Sequence, residues 1–501
     1  MFTLTAQQEE IIAWFKAGPS SGNLVVVARA GSAKTTTAVA GVLVAPERSI
    51  LLCAYSKIIQ VELEKRIGKN NPKIKARTLH SVGLACIHKF RENIKISFDG
   101  SREEEITEAV CGDTVPVVIK KLVSKLHTKA REIAPHARVA GDLLDLALRF
   151  DCEPEEEWAN SGFPLEFIEE KALEALEWAS YVPNGATIDG SDMIFLPVRN
   201  KWLVRQYDLV VVDEAQDMTS TQLEVALGVL KLNGRVAVIG DDRQAIFAWR
   251  GADSEALGRL GRELKAQKLY LTKTFRCGHT IVDLAKSYVP DFVADAANPL
   301  GEILSIPSDD LTECAKPGDF ILSRTNAPLV MIALKFLREG KRVQIAGGDI
   351  GKGLVALIRS LRAKTLDELI IRVATWEQKK LSSYQQLLAA EKKESRKNSI
   401  LSKMDETTEK AEMIRFFCED ADNLDGLFTK MTNLFKGDGL GAEGLVTCSS
   451  VHRAKGLEAN RVFILRGTLR EYNIEEQNIC YVAITRAKHS LIWVENAGRN
   501  V

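Results

Sequence analysis

Three features of the sequence predict an α/β fold with parallel sheets covered on both faces. First, apolar β-branched runs bounded by turn residues recur along the 501 residues: "NLVVVA", "SILLCAY", "YDLVVVDEAQD", "RVAVIGDD", "DFILSRT", "RVQIAGG", "LVTCSSVH", "RVFILRG" and "SLIWVEN". Second, helical patterns lie between many of them, the alternation that arises when crossover helices connect parallel strands. Third, "VVVARAGSAKTTT" (Val25 to Thr37) has the form of a buried strand, a turn and a small-residue helix.

That third stretch resembles a phosphate-binding loop with its glycines replaced. The usual pattern is G-x-x-x-x-G-K-[ST]. Lys34 and Thr35 stand in place, while Ala28 and Ala33 fill both glycine positions. In such a loop, backbone N–H groups and the helix N-terminus point at the phosphates. Ala30, Gly31, Ser32, Ala33, Lys34, Thr35 and Thr36 would form the cradle. Lys34 would reach the β- and γ-phosphates, and the Thr35 hydroxyl would hold Mg²⁺. An alanine costs about 1–2 kcal/mol where φ must be positive. Ala33 is therefore expected at φ below zero, with its N–H still aimed at the phosphates. A decayed loop and an unrelated strand–turn–helix remain alternatives on this stretch alone.

Composition narrows the class. The length allows about two to four domains. The hydrophobic (46%) and charged (27%) fractions suit a soluble globular chain and exclude a disordered one. No run of about 18 apolar residues occurs, so no membrane span is predicted. "MFTLTAQQEE" lacks a basic segment followed by an apolar one, so no secretion signal is expected. The net charge of zero neither requires nor excludes a local basic groove. Nine cysteines without a C-x-x-C pair read as buried thiols in a reducing compartment, which favours a cytoplasmic protein. From about Leu84 to Asp189, and again from about Gly351 to Gly441, the pattern turns helical and charged, as expected of insertions into α/β cores.

"LVVVDEAQD" places Asp213 and Glu214 at the C-terminal end of a hydrophobic strand, where open α/β sheets bind ligands. Adjacent residues of an extended strand point to opposite sides, so the two carboxylates can divide the work. Asp213 would meet Mg²⁺ through its water shell, and Glu214 would orient and deprotonate an attacking water. A lone Asp-Glu pair is common. Downstream of the Lys34–Thr35 loop, it predicts a working nucleotide site.

"DEAQD" followed by "VIGDDRQAIFAWRGA" resembles the UvrD-like branch of superfamily 1 helicases. The resemblance continues in order through "LTAQQ" at the N-terminus and through "ILLCAYSKIIQVELEKRI", "TLHSVG", "LTKTFRCGHTIVDLA", "ILSRTNA", "SSVHRAKGLE" and "YVAITRAKHSLIW". It covers nearly the whole chain outside the two helical stretches. It implies two RecA-like motor domains with ATP bound between them. The first would comprise residues 1–83 and 190–272 around an insertion at 84–189. The second would comprise 273–350 and 442–501 around a shorter insertion at 351–441.

By this resemblance Gln8 would read adenine, Phe275 would stack on it and Glu458 would meet the ribose. Gln244 would sense the γ-phosphate. Arg276 and Arg486 would be arginine fingers, and Gln216, Asp241 and Lys455 would support or couple the site. Single-stranded DNA would be held by Tyr55, His80, Ser81, Phe247, Trp249, Asn326 and His452, with stacking on aromatic faces worth about 1–3 kcal/mol per base. Lys57 stands where the family commonly has asparagine. The implied activity is ATP-driven 3′→5′ movement on single-stranded DNA with unwinding at single-strand/duplex junctions. No nuclease carboxylate–lysine cluster is present, so cutting would fall to a nuclease partner, and a replication or repair protein is the other partner class. The competing readings are an ATP-gated translocase or regulatory subunit that does not separate strands, and a non-catalytic DNA-binding module.

Overall fold

Every residue of the strand Leu24–Ala28 is buried, and successive side chains enter different cores. Val25 and Val27 join Leu51, Cys53, Val210 and Val212 on one side. Leu24, Val26 and Ala28 join Ile50, Leu52, Leu209 and Val211 on the other. A strand buried on both faces reads as an unbroken apolar run, which is why these strands stand out in the sequence.

The computed structural model describes residues 4–68, 71–150, 152–154, 156–247, 256–390, 394–435 and 444–495. The chain divides into two units, Met1–Arg29 with Ala33–Leu271, and Ala30–Ser32 with Thr272–Val501.

The first unit carries a six-stranded, all-parallel sheet in the order Ile74–Thr78, Ile50–Ala54, Tyr207–Val212, Leu230–Gly240, Leu24–Ala28, Gln267–Leu271. Helices Ala6–Ala17 and Lys34–Val44 cover one face through Ile11, Phe15, Ala38 and Val42. Helices Leu79–Ile87, Gly190–Arg199 and Ser220–Gly228 cover the other through Val82, Ile194 and Leu223. Gly83 permits one close approach, since a Cβ there would lie 1.9 Å from Met193 O. The helices Ser101–Cys111, Val117–Ile133 and Leu165–Ser180 build a separate core around Ile106, Ile119, Leu126, Ile168 and Leu176. Buried charges pair across it: Arg131 Nη1 donates to Asp189 Oδ1 and Asp192 Oδ1, and Arg102 Nε donates to Asp192 Oδ2.

The second unit has its own six-stranded parallel sheet, ordered Glu302–Pro307, Ala487–Glu495, Ala459–Leu465, Phe320–Ser323, Val446–Ser450, Val343–Ile345. Helices Gly348–Leu361, Leu366–Ala390, Glu394–Glu419 and Leu424–Leu434 share one core with this sheet, Leu354, Val373, Phe417 and Met431 packing with Ile321, Ile345 and Phe463.

The fold is therefore α/β on two parallel sheets, as the sequence predicts, and is consistent with two RecA-like domains. Within the described parts of the two six-stranded sheets, three strands escape the sequence reading: Ile74–Thr78, Gln267–Leu271 and Glu302–Pro307. All three lie at sheet edges, where exposed residues interrupt the apolar run. The nine cysteines are free thiols. Among the described residues, no helix is long and apolar enough to cross a membrane.

Candidate nucleotide site and nucleic-acid contacts

The turn after strand Leu24–Ala28 delivers the chain into helix Lys34–Val44 through Ala33, which adopts φ 61° and ψ 36°. This corrects the expectation of a negative φ. A left-handed residue at the helix entrance closes the short turn, and Gly31 within it is left-handed as well, at φ 67°. The Ala33 methyl makes this conformation cost about 1–2 kcal/mol. Local bonding holds it in place, because Ala33 O accepts from both Thr37 N (2.9 Å) and Thr37 Oγ1 (3.0 Å).

The acidic pair differs from expectation in the same way. Strand Tyr207–Val212 ends before Asp213, and Glu214 is left-handed at φ 52°. A turn, not strand alternation, separates the two carboxylates. Left-handed non-glycine residues at both the loop and the acidic turn are the kind of strain that concentrates at functional sites.

Within the first unit these side chains form a closed circuit. Thr35 Oγ1 donates to Asp213 Oδ2 at 2.8 Å, and Lys34 Nζ lies 3.3 Å from Glu214 Oε2. Gln216 Nε2 donates to Glu214 Oε2 (2.6 Å), and Gln216 Oε1 accepts Asp241 N (3.1 Å). Gln244 Nε2 donates to Asp241 Oδ2 at 2.7 Å. Gly240 lets the Gln216 amide in, since a Cβ there would stand 2.4 Å from Gln216 Oε1. The circuit returns to the loop through Arg29, whose Nη1 reaches Asp241 Oδ1 (3.2 Å) and Asp242 Oδ1 (2.6 Å). Sequence reasoning missed Arg29. Its only signal was a cation directly after a buried strand.

The electrostatics follow from burial. Burial pushes the Asp213 carboxyl up to about 6 and Glu214 adds to the shift, while Lys34 and the Thr35 hydroxyl oppose it. Burial would lower the Lys34 ammonium, but Glu214, Asp241 and Asp213 together raise it above its ordinary value. The site thus concentrates negative charge around one lysine, a setting that favours a bound cation.

Gln8 is buried at the start of helix Ala6–Ala17. Its Oε1 accepts Thr5 N (3.0 Å) and its Nε2 donates to Thr37 Oγ1 (3.2 Å). A carboxamide has a second lone pair and a second N–H, the pair that a base edge would use.

The second unit holds the remaining nucleotide candidates. Arg276 Nε pairs with Glu458 Oε2 at 2.5 Å, and Lys488 Nζ pairs with Glu458 Oε1 at 2.6 Å. Arg486 is buried, and its guanidinium donates to Val482 O, Leu457 O and Thr485 Oγ1. Burial lowers its pKa to about 9, with Arg276 adding to the shift. Phe275 is half-buried.

The nucleic-acid candidates divide between the units. Tyr55 is 41% exposed, and His80 and Ser81 sit in the first turn of helix Leu79–Ile87, where Ser81 Oγ donates to Thr78 O. Phe247 is half-buried, and Trp249 lies outside the described residues. In the second unit, Asn326 donates through both its backbone N and its Nδ2 to Glu409 Oε1 on helix Glu394–Glu419. His452 is half-buried in the short helix Val451–Ala454.

A lysine and threonine at a strand–loop–helix junction, bonded to paired acids that follow a strand one removed in the same sheet, have the arrangement of an α/β protein of the phosphate-loop class. Comparison with known proteins narrows this further. The model of the UvrD/REP helicase N-terminal domain matches residues 4–265, and that of the UvrD-like helicase C-terminal domain matches residues 445–494. The chain belongs to the UvrD/Rep helicase family.

ATP-dependent DNA helicase Rep of Escherichia coli (strain K12) is 24% identical over 296 residues, covering 53% of this chain and 41% of Rep. Gabija protein GajB of Bacillus cereus (strain VD045) is 26% identical over 332 residues, covering 59% of this chain and 65% of GajB. The match thus spans about two-fifths of Rep. A solved arterivirus nonstructural protein 10 (helicase) with DNA aligns at a TM-score of 0.35 and 11% identity, covering 98% of this chain and 64% of that one, too slight a likeness to bear on the fold.

Proposed function

We propose that this chain is an ATP-hydrolysing motor that moves 3′→5′ on single-stranded DNA and separates strands at junctions. The observation that carries this reading is the coupled pair of contacts Lys34–Glu214 and Thr35–Asp213, which a decayed loop would not need.

The donor set suits Mg²⁺ with a nucleotide. Thr35 and Asp213 offer the hard oxygens magnesium prefers, and phosphate oxygens and water would supply the remaining ligands. Ser32 Oγ is buried with no hydrogen-bond partner among the described residues, which fits a donor for a phosphate oxygen. Bound magnesium would neutralise phosphate charge and orient the terminal group. Lys34 would exchange Glu214 for the β- and γ-phosphates, leaving the Glu214 carboxylate to take a proton from the attacking water. Gln244 would sense the terminal phosphate, and Arg276 and Arg486 would stabilise charge on it. Gln8 and Phe275 would hold the adenine, and Glu458 the ribose. Tyr55, His80, Ser81, Phe247, Trp249, Asn326 and His452 would line the strand's path. A nuclease or a replication or repair protein would act beside the motor.

A forked duplex with a 3′ or a 5′ single-stranded tail tests this directly. ATP-dependent separation of the 3′-tailed fork is the expected result. DNA-stimulated hydrolysis without separation would favour a translocase or regulatory subunit. Absence of both would overturn the reading.

A further inference from the structure

Arg29 is a buried cation that the proposed chemistry leaves without a role. Its backbone N donates to Leu271 O at 2.8 Å, which fixes it as the last paired residue of its strand. Its residue exposure is only 8%, so the guanidinium's ion pairs with Asp241 and Asp242 are shielded from water on the Asp241 side, where the partner is fully buried.

We propose that Arg29 is a positioning residue for Gln244, acting through Asp241, and so governs how the site senses the terminal phosphate. The inference rests on the functional reading given above for Gln244. A carboxylate is a planar fork, so fixing one oxygen fixes the direction of the other. Arg29 Nη1 and Arg243 N hold Asp241 Oδ1, and Oδ2 is thereby aimed at Gln244 Nε2. Rotation about the carboxylate's terminal torsion is otherwise soft. Without the guanidinium, Asp241 Oδ1 would lose its charged partner inside the protein, and the carboxylate would be held less firmly in this orientation. The Gln244 amide, itself buried, would follow. Lys34 and Thr35 would still grip the phosphates, because neither bonds to Arg29.

The test is a double-mutant cycle on steady-state ATP hydrolysis with saturating oligo-dT. Arg29→Met is expected to lower kcat about tenfold while KM for ATP stays within about twofold. Gln244→Ala is expected to lose a similar factor, and the double variant no more than either alone, because both remove the same alignment. Arg29→Lys keeps the cation and is expected to recover most of the rate. Should Arg29→Met not fold, the cycle is run with Arg29→Gln, whose amide keeps one donor but no charge. Multiplicative losses in the double variant, an Arg29 variant as fast as wild type, or a KM that rises in step with the fall in kcat would each overturn the proposal. A wild-type protein that does not hydrolyse ATP overturns the functional reading and this proposal together, so the two failures are told apart.

Discussion

Thr35 Oγ1 donates to Asp213 Oδ2 across 2.8 Å, although 178 residues separate them in the chain. The contact joins the phosphate loop to the acidic turn and brings together the two oxygens proposed to hold a magnesium ion. Asp213→Asn should therefore raise the Mg²⁺ concentration needed for half-maximal ATP hydrolysis by about 10–100-fold. A magnesium titration of the variant checks this, and an unchanged midpoint would remove Asp213 from the metal.

Ala33 is already left-handed, so glycine at this position would relieve strain. The relief of about 1–2 kcal/mol exceeds the roughly 0.4–1 kcal/mol of extra unfolded-chain entropy. Ala33→Gly should raise stability by up to about 1.6 kcal/mol. Because alanine and glycine present the same N–H, KM for ATP should stay within a few-fold. Thermal melts with ATPase kinetics test both, and a destabilised variant would contradict the observed conformation.

His127 is fully buried in helix Val117–Ile133, with Nε2 against Thr107 Oγ1 and, among the described residues, no hydrogen-bond partner for Nδ1. Burial, reinforced by Arg131, lowers its pKa to about 3. The unfolded value is about 6.5, so the unfolded chain takes up the proton first as pH falls. His127's contribution to stability is complete above that value and is lost by about 1.4 kcal/mol per pH unit below it. Urea midpoints at pH 7.5 and 5 should differ less in His127→Phe than in wild type. An equal difference would show that other groups drive the acid sensitivity.

Glu409 Oε1 accepts the backbone N–H and one Nδ2–H of Asn326, donors that Asn326 would otherwise offer to nucleic acid. Glu409→Ala removes a negative charge and frees those donors. Affinity for oligo-dT should rise about two- to fivefold at low salt and less at high salt. Fluorescence anisotropy across a salt series would show it, and weaker binding would mean that Glu409 supports the strand's path.

The fold was legible where burial is two-sided, as in Leu24–Ala28 and Tyr207–Val212, and illegible where it is not, as in the edge strand Glu302–Pro307. The contacts among the candidate residues were partly legible: Lys34 and Thr35 open a helix just after one buried strand, and Asp213 and Glu214 directly follow another. Their conformations were not, because the left-handed backbone of Ala33 and Glu214 is imposed by turns that tertiary packing fixes. Arg29 was invisible because a lone arginine is usually a surface cation and its partner Asp241 lies 212 residues away. The same distance problem hid Glu409 from Asn326, 83 residues apart.

A loop with alanine at both glycine positions is proposed to run hydrolysis through Glu214 all the same. Glu214→Gln keeps the side chain's size and removes only the base. Measured beside wild type with saturating oligo-dT, it should bind ATP with near-native affinity while DNA-stimulated turnover falls by at least about a hundredfold. Full DNA-stimulated turnover in Glu214→Gln would contradict the account.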